Sequence, residues 1–380
     1  TLASHPGPVA RFRLALTTLR ARVPAAEAWF RSLTAGARRA REVSLICPPE
    51  WCHRALADPL LTSATLETLA LGECRFSDAG AAAASASRLT DLSLSHTHIS
   101  EAALQSLLSG CPALRNVIFR HIQGPRRIRI TSCRSLVLFG VWHYKHLEEL
   151  TVEDAPRLEC LLGDVHLGAS VTIIGAPKLT ALGYLVVGFR NFFHGIDKPA
   201  VEELSLNEAS LTCTSQKVNK GLRAPFNSVK ILAISMTFSS KKDMATVMNL
   251  LKCFSFLETL HIQVDTIDFG YYQKNEPIGY RELESKVKNL IGEVEERNMF
   301  EFVCFLLANA QVLQIMKIQS AMSNTPEWIT EQQNLIQCHR ASVEAKVVFE
   351  GLKVVHRKRF SIEAVNALPD PFDSDIDIMA

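Results

Sequence analysis

The sequence has almost no excess of either charge: 41 Lys+Arg stand against 39 Asp+Glu over 380 residues, a net of +2. That balance argues against a polyelectrolyte role such as coating nucleic acid or an anionic membrane. No two of the ten cysteines form a CxxC pair. The closest, Cys47 and Cys52, have no matching pair and no histidine at zinc-site spacing. A secretory signal and an Asn-x-Ser/Thr acceptor are both missing, so a reduced cytoplasmic or nuclear setting is expected. Long apolar runs are absent as well. The most apolar region, Val171 to Phe189, is interrupted by Lys178 and flanked by Asp164, so no membrane span is expected. The sequence contains no P-loop, no GxGxxG behind a strand, no GxSxG and no HExxH. Neither enzymatic activity nor a cofactor or metal is expected.

What is present first is an uneven start. Arg11, Arg13, Arg20, Arg22, Arg31, Arg38, Arg39 and Arg41 crowd the opening, with Glu27 alone opposing them before Glu42. A solvated or docking face accounts for this more simply than a nucleic-acid patch. Binding with a steep salt dependence would mark the latter.

The organising feature is a repeat. LETLAL carries Leu66, Leu69 and Leu71; LTDLSL carries Leu89, Leu92 and Leu94; LRNVIF carries Leu114, Val117 and Phe119. The pattern returns in LEELTV (Leu147, Leu150, Val152), VEELSL (Leu204, Leu206), VKILAI (Leu232, Ile234) and LETLHI (Leu260, Ile262). Weaker copies lie at Val43–Leu45, Ile128–Ile130 and Val171–Ile173. The central position advances from 43 to 69, 92 and 117, and later from 204 to 232 and 260. Those steps fall inside the 20–29-residue period of a leucine-rich repeat. Apolar residues two apart face inward from a strand, and a face that one repeat cannot bury alone requires stacked neighbours.

Between these strands the period becomes helical. Ser100 precedes Leu104, Leu107, Leu108 and Cys111; Ser240 and Asp243 have capping-box spacing before Met244, Val247, Met248 and Leu251. An ordinary parallel α/β domain is the alternative, but its strands would be near-continuously apolar. Here polar residues alternate, as in Asp91, Ser93, Ser95 and Glu149, Thr151, Glu153. The expected fold is an α/β leucine-rich-repeat solenoid, strands concave and helices convex, over residues 1–265. Residues 266–380 are expected to form a terminal cap with an acidic tail. Within the cap, Phe300, Val303, Leu307 and Ala310 share a helix face, Leu313, Met316 and Ile318 repeat the strand pattern, and Thr325–Pro326 starts a helix.

AEAWFRSLTAGARRAREVSLICP, with Trp29 and Phe30 ahead of a first strand at Val43, resembles the segment after the F-box in grass F-box/leucine-rich-repeat proteins. SGCPALRNV is similar to that family's repeat junction. EPIGYRELESKVKNL, FEFVCFLLANAQVLQIMKI and SNTPEWITEQQNLI resemble the FBD domain that closes many of them, as DPFDSD resembles their tail. The F-box itself is expected to be missing through truncation, since the chain opens on Thr1 and no such helical segment precedes it. The resemblance implies that an upstream F-box would tether the chain to a Skp-type adaptor and cullin, with a target protein bound on the repeats. A free-standing interaction protein without ubiquitin chemistry is the alternative.

One surface feature is singled out for partner binding. Arg127 and Arg129 alternate with Ile128 and Ile130, so both should leave one strand toward solvent, with Arg120 outward on the strand before. A positive stripe on the concave face is expected, followed by the acidic Glu149, Glu153 and Glu203. Such a two-toned face favours a specific protein partner over a polyanion. His96 and His98 are expected at the surface. Cys74 and Cys133 are expected in the small buried position of the repeat. Asp370, Asp373, Asp375 and Asp377 are expected in a solvated tail rather than a calcium loop.

Overall fold

The computed structural model describes residues 9–15, 28–29, 31–33, 40–47, 58–131, 133–144, 146–166, 169–187, 227–238, 241–264, 296–320, 330, 336, 339–351 and 370–372. It divides into two compact units, residues 1–181 with 356–380, and residues 182–355.

In the first unit, the main strands are β1 (Arg11–Ala15), β2 (Glu42–Ile46), β3 (Thr68–Gly72), β4 (Asp91–Ser95), β5 (Asn116–Arg120), β7 (Leu138–Trp142) and β9 (Cys160–His166). They pair in parallel in that order. Register stacks Val43, Leu69, Leu92, Val117, Phe139 and Leu161 in one inward row and Leu45, Leu71, Leu94, Phe119 and Val141 in a second. All are buried. Each buried branched or aromatic side chain is worth about 1.5–3 kcal/mol, which makes these rows the main cohesive term. Phe119 and Phe139 meet edge to face with centroids 5.6 Å apart.

The return leg changes along the unit. It begins as a 3-10 turn at Asp58–Thr62, continues as α1 (Asp78–Ala82) and α2 (Glu101–Gly110), then becomes β6 (Arg127–Thr131), β8 (Glu149–Glu153) and β10 (Ser170–Ile174). Neighbouring members of this row touch from the 3-10 turn through α1 and α2 to β6. The three strands make a separate parallel sheet, ordered β10-β8-β6. Both helices start on a serine cap: Ser77 Oγ accepts from Gly80 N–H at 2.9 Å, and Ser100 Oγ from Ala103 N–H at 3.0 Å. Ser100 also donates to Asp78 Oδ1 at 2.6 Å, tying one cap to the next helix start. The expectation that 128–130, 147–152 and 171–173 carry main-sheet copies of the repeat is therefore corrected. They are return strands, and β7 and β9 hold the main-sheet positions.

At the ends of β3, β4, β5 and β7 the chain turns through the left-handed region. Glu73, His96, His121 and His143 have φ of 52°, 49°, 47° and 55°. Gly163 has φ of 137°, and a Cβ there would lie 1.8 Å from the Val141 carbonyl oxygen, so close backbone approach requires glycine.

The second unit holds β11 (Ala181–Val186), β12 (Ile231–Met236), β13 (Thr259–Val264), β14 (Ile315–Ser320) and β15 (Lys346–Gly351). The last four pair in parallel, burying Leu232, Leu260, Met316 and then Ile234, Ile262, Ile318, Phe349. Two helices, α3 (Lys241–Leu251) and α4 (296–309), serve as return legs. Val303 and Leu307 are buried as expected, and the strand expected at Leu313–Ile318 is β14. Asn298 Nδ2 donates to the buried Phe238 carbonyl at 2.8 Å, fixing α4 to the loop behind β12. The strand expected around Leu204, the Ser240 cap and the helix start at Thr325–Pro326 lie outside the described residues. No helix among the described residues is long and apolar enough to cross a membrane.

Candidate protein-interaction surface

The outward side of the main sheet in the first unit alters from end to end. On β2, β3 and β4 the outward places include Glu42 and Ser44, Thr68 and Ala70, Asp91 and Ser93, all part-exposed, with Ile46 exposed and Gly72 buried at the strand ends. On β5, β7 and β9 such places hold Ile118, Leu138, Trp142 and Leu162, all buried, while Arg120 and Cys160 stay part-exposed. Trp142 lies back over Gly140, where a Cβ would come within 2.1 Å of the indole. The polar half of this side is thus open, and the apolar half is covered.

Polar residues of the open half are organised across repeats. Asn116 Nδ2 donates to Asp91 Oδ1 at 2.7 Å, and the Thr90 hydroxyl donates to Asp91 Oδ2 at 2.6 Å. Just ahead of the strands, Glu67 accepts from Arg41 at 2.8 Å and from Arg88 at 3.0 Å. Arg11 pairs with Glu42, whose carboxyl is held below its usual range chiefly by that hydrogen bond. Part of the basic start is therefore neutralised within the fold. Arg20, Arg22, Arg38 and Arg39 lie outside the described residues.

The expected stripe is not one surface. Arg120 sits on β5 of the main sheet, in register with Ser95 and Trp142. Arg127 and Arg129 sit on β6 of the return sheet, in register with Glu149 and Thr151 of β8. The acidic residues do not follow as a separate zone either. Arg129 Nη2 is 3.3 Å and Arg127 Nε 3.7 Å from the Glu149 carboxylate. The Thr151 hydroxyl also donates to Glu149 at 2.9 Å, and that bond, more than the arginines, draws the Glu149 carboxyl below its usual range. Glu153 closes β8, exposed and in register with Thr131. Both sheets carry the same alternation, which is why sequence placed the residues on one face. Glu203 lies outside the described residues.

Sequence reasoning passed over a histidine ladder. His96, His121 and His143 each follow a main strand, and their rings stack at 4.4 Å with interplanar angles of 19° and 8°. A carboxylate closes each end. Glu73 Oε1 lies 3.8 Å from His96 Nδ1, and Asp164 Oδ2 lies 3.7 Å from His143 Nδ1. Asp164 also accepts the His143 backbone N–H at 2.6 Å. The signal was available: a histidine directly behind three successive main strands. His96 lies at the surface, about half exposed, as expected, while His143 at the other end of the ladder is mostly enclosed. Among the described residues no group of three or more His, Cys, Asp or Glu is arranged to hold a metal ion.

The thiols are packing residues. Cys74 is buried with its Sγ 3.5 Å from Thr97 Oγ1, and burial pushes it up to about 12. Cys133, expected in the same buried place, is only half-buried, because its loop follows a return strand. Of the expected tail residues, Asp370 is part-exposed beside the buried Pro371 and Phe372, while Asp373, Asp375 and Asp377 lie outside the described residues.

Residues 26–262 match a family described as "FBD-associated F-box protein At5g56370, LRR repeats", well over half of the chain. No curated protein matches it.

Proposed function

The chain belongs to the leucine-rich-repeat family of FBD-associated F-box proteins, and from that premise we propose that it is the target-reading part of a ubiquitin-ligase receptor. The observation that supports this reading best is the open, polar outward side of β2–β4, continued by Arg120 on β5. Four parallel strands present Glu42, Ser44, Thr68, Asp91, Ser93 and Arg120 at regular spacing on a rigid support. A fixed lattice of donors and acceptors suits a folded protein surface, because little ordering entropy is lost on docking. Arg127 and Arg129, paired with Glu149, and the exposed Glu153 form a second surface that adds solubility more than affinity.

In this reading the chain makes and breaks no covalent bond. An F-box elsewhere in the native protein engages a Skp-type adaptor, and the repeats hold a target protein close to the ubiquitin-carrying enzyme, raising its effective concentration there. Residues 266–380 act as an FBD-like cap with an acidic tail, and the protein works in the cytoplasm or nucleus of a plant cell. The alternative is a free-standing interaction module unconnected with ubiquitin.

Co-precipitation of the native gene product, tagged at its N-terminus, with partners read by mass spectrometry, separates the two. Enrichment of a Skp-type adaptor and a cullin is the expected result. Recovery of other partners with no adaptor would replace the ligase reading with the free-standing one.

A further inference from the structure

The outward residues Ile118, Leu138, Trp142 and Leu162 are at most 3% exposed, on a side whose neighbours on β2–β4 are open. Leaving that many apolar side chains to water would be unfavourable, so a cover is required. Residues 370–372 follow the second unit in sequence yet belong to the first. They are closed in: Pro371 is buried and Phe372 is 4% exposed. Their turn is locked by Asp370 Oδ1, which accepts the Phe372 N–H at 3.0 Å. Asp370 lies near enough to Cys160, the outward residue that opens β9, for its charge to act on that thiol.

We infer that the outward side of β5, β7 and β9 is a peptide slot filled by the chain's own Asp370–Phe372 segment, which a target carrying a similar acidic, proline-aromatic segment displaces. The chemistry of the slot fits its occupant. A flat indole and aliphatic side chains take a proline and a phenyl ring, and the carboxylate remains at the edge, beside Cys160. The open polar half supplies an adjoining surface for the remainder of a target. Occupation in cis competes with a target through the high effective concentration of a tethered segment. The inference rests on the repeats being a protein-binding surface.

The test uses the full chain, a Phe372→Asp variant, a Phe372→Tyr variant and a fluorescent peptide spanning residues 366–380. Maleimide labelling, mapped by mass spectrometry, reads Cys160 as the reporter and Cys74 as the control for an intact fold. Phe372→Asp should label Cys160 about tenfold faster, with Cys74 still protected, and Phe372→Tyr should label it at the parental rate. The peptide should bind Phe372→Asp and not the parent, and a peptide carrying the same substitution should bind neither. Unchanged Cys160 labelling in Phe372→Asp with Cys74 protected overturns the cis contact. Should Phe372→Asp expose Cys74, Pro371→Gly replaces it under the same criteria. Faster Cys160 labelling without peptide binding overturns the slot, leaving the co-precipitation result to stand or fall separately.

Discussion

Arg129 on β6 holds its Nη2 3.3 Å from Oε1 of Glu149 on β8, across the return sheet rather than along the main one. Two residues that read in sequence as opposite tones of a binding face are one another's neighbours. Half of each arginine stays exposed, so the pair is a weak one. A double-mutant cycle with Arg129→Ala and Glu149→Ala should give a coupling of about 0.2–1 kcal/mol in urea unfolding. A coupling near zero would show that Glu149 is held by the Thr151 hydroxyl and Arg127 without help from Arg129.

The same carboxylate sets a pH dependence. Its folded-state value is below the ordinary 4.5, first through the Thr151 hydrogen bond and then through the arginines. The native state therefore binds fewer protons than the unfolded chain around that value. The stabilisation is complete above the unfolded value and is lost as pH falls through the folded one. Melting temperatures of the parent and Glu149→Gln should differ at pH 7 and converge on acidification below 4.5. A constant gap would contradict the assignment.

Gly163 is expected to be irreplaceable. With φ of 137° and the Val141 carbonyl oxygen 1.8 Å from any added Cβ, both backbone strain and collision oppose a side chain. Gly163→Ala should cost about 3 kcal/mol or more in chemical unfolding. A loss under about 1 kcal/mol would mean that β7 and β9 separate easily.

Ser100 serves α2 and α1 together, accepting from Ala103 and donating to Asp78. Ser100→Ala should destabilise by about 1 kcal/mol, and Ser100→Thr by less. Equal losses for both would point to packing rather than the cap.

Much of the repeat was legible because polar or small residues alternate with large apolar ones on β2–β4 and on β13 and β14, and the outward side is part-wet on β2–β4 and β14. Leu69, Leu92 and Leu260 were placed from that pattern, as was the Ser100 cap. On β7 and β9 the outward residues Leu138, Trp142 and Leu162 are themselves buried, so the alternation vanished just where the main sheet continued. RIRIT of β6 and ELTVE of β8 keep it, as strands with one wet side do, and so passed for main-sheet copies. A strand's two-residue period states which side chains share a face but not to which sheet the strand belongs. The misplaced arginine stripe follows from that single ambiguity. The histidine ladder escaped notice because its members stand alone in sequence, 25 and 22 residues apart, and only the repeat register aligns them.

The most direct measurement is quantitative capture of partners from tissue extract by two surface variants of the native protein beside the parent. One variant alters the open main-sheet side, Ser93→Arg with Arg120→Glu; the other alters the return sheet, Arg127→Glu with Arg129→Glu. The expected result is loss of target proteins by the first variant alone, with adaptor and cullin recovered by both. Retention of targets by the first and their loss by the second would contradict the placement of recognition on the main sheet.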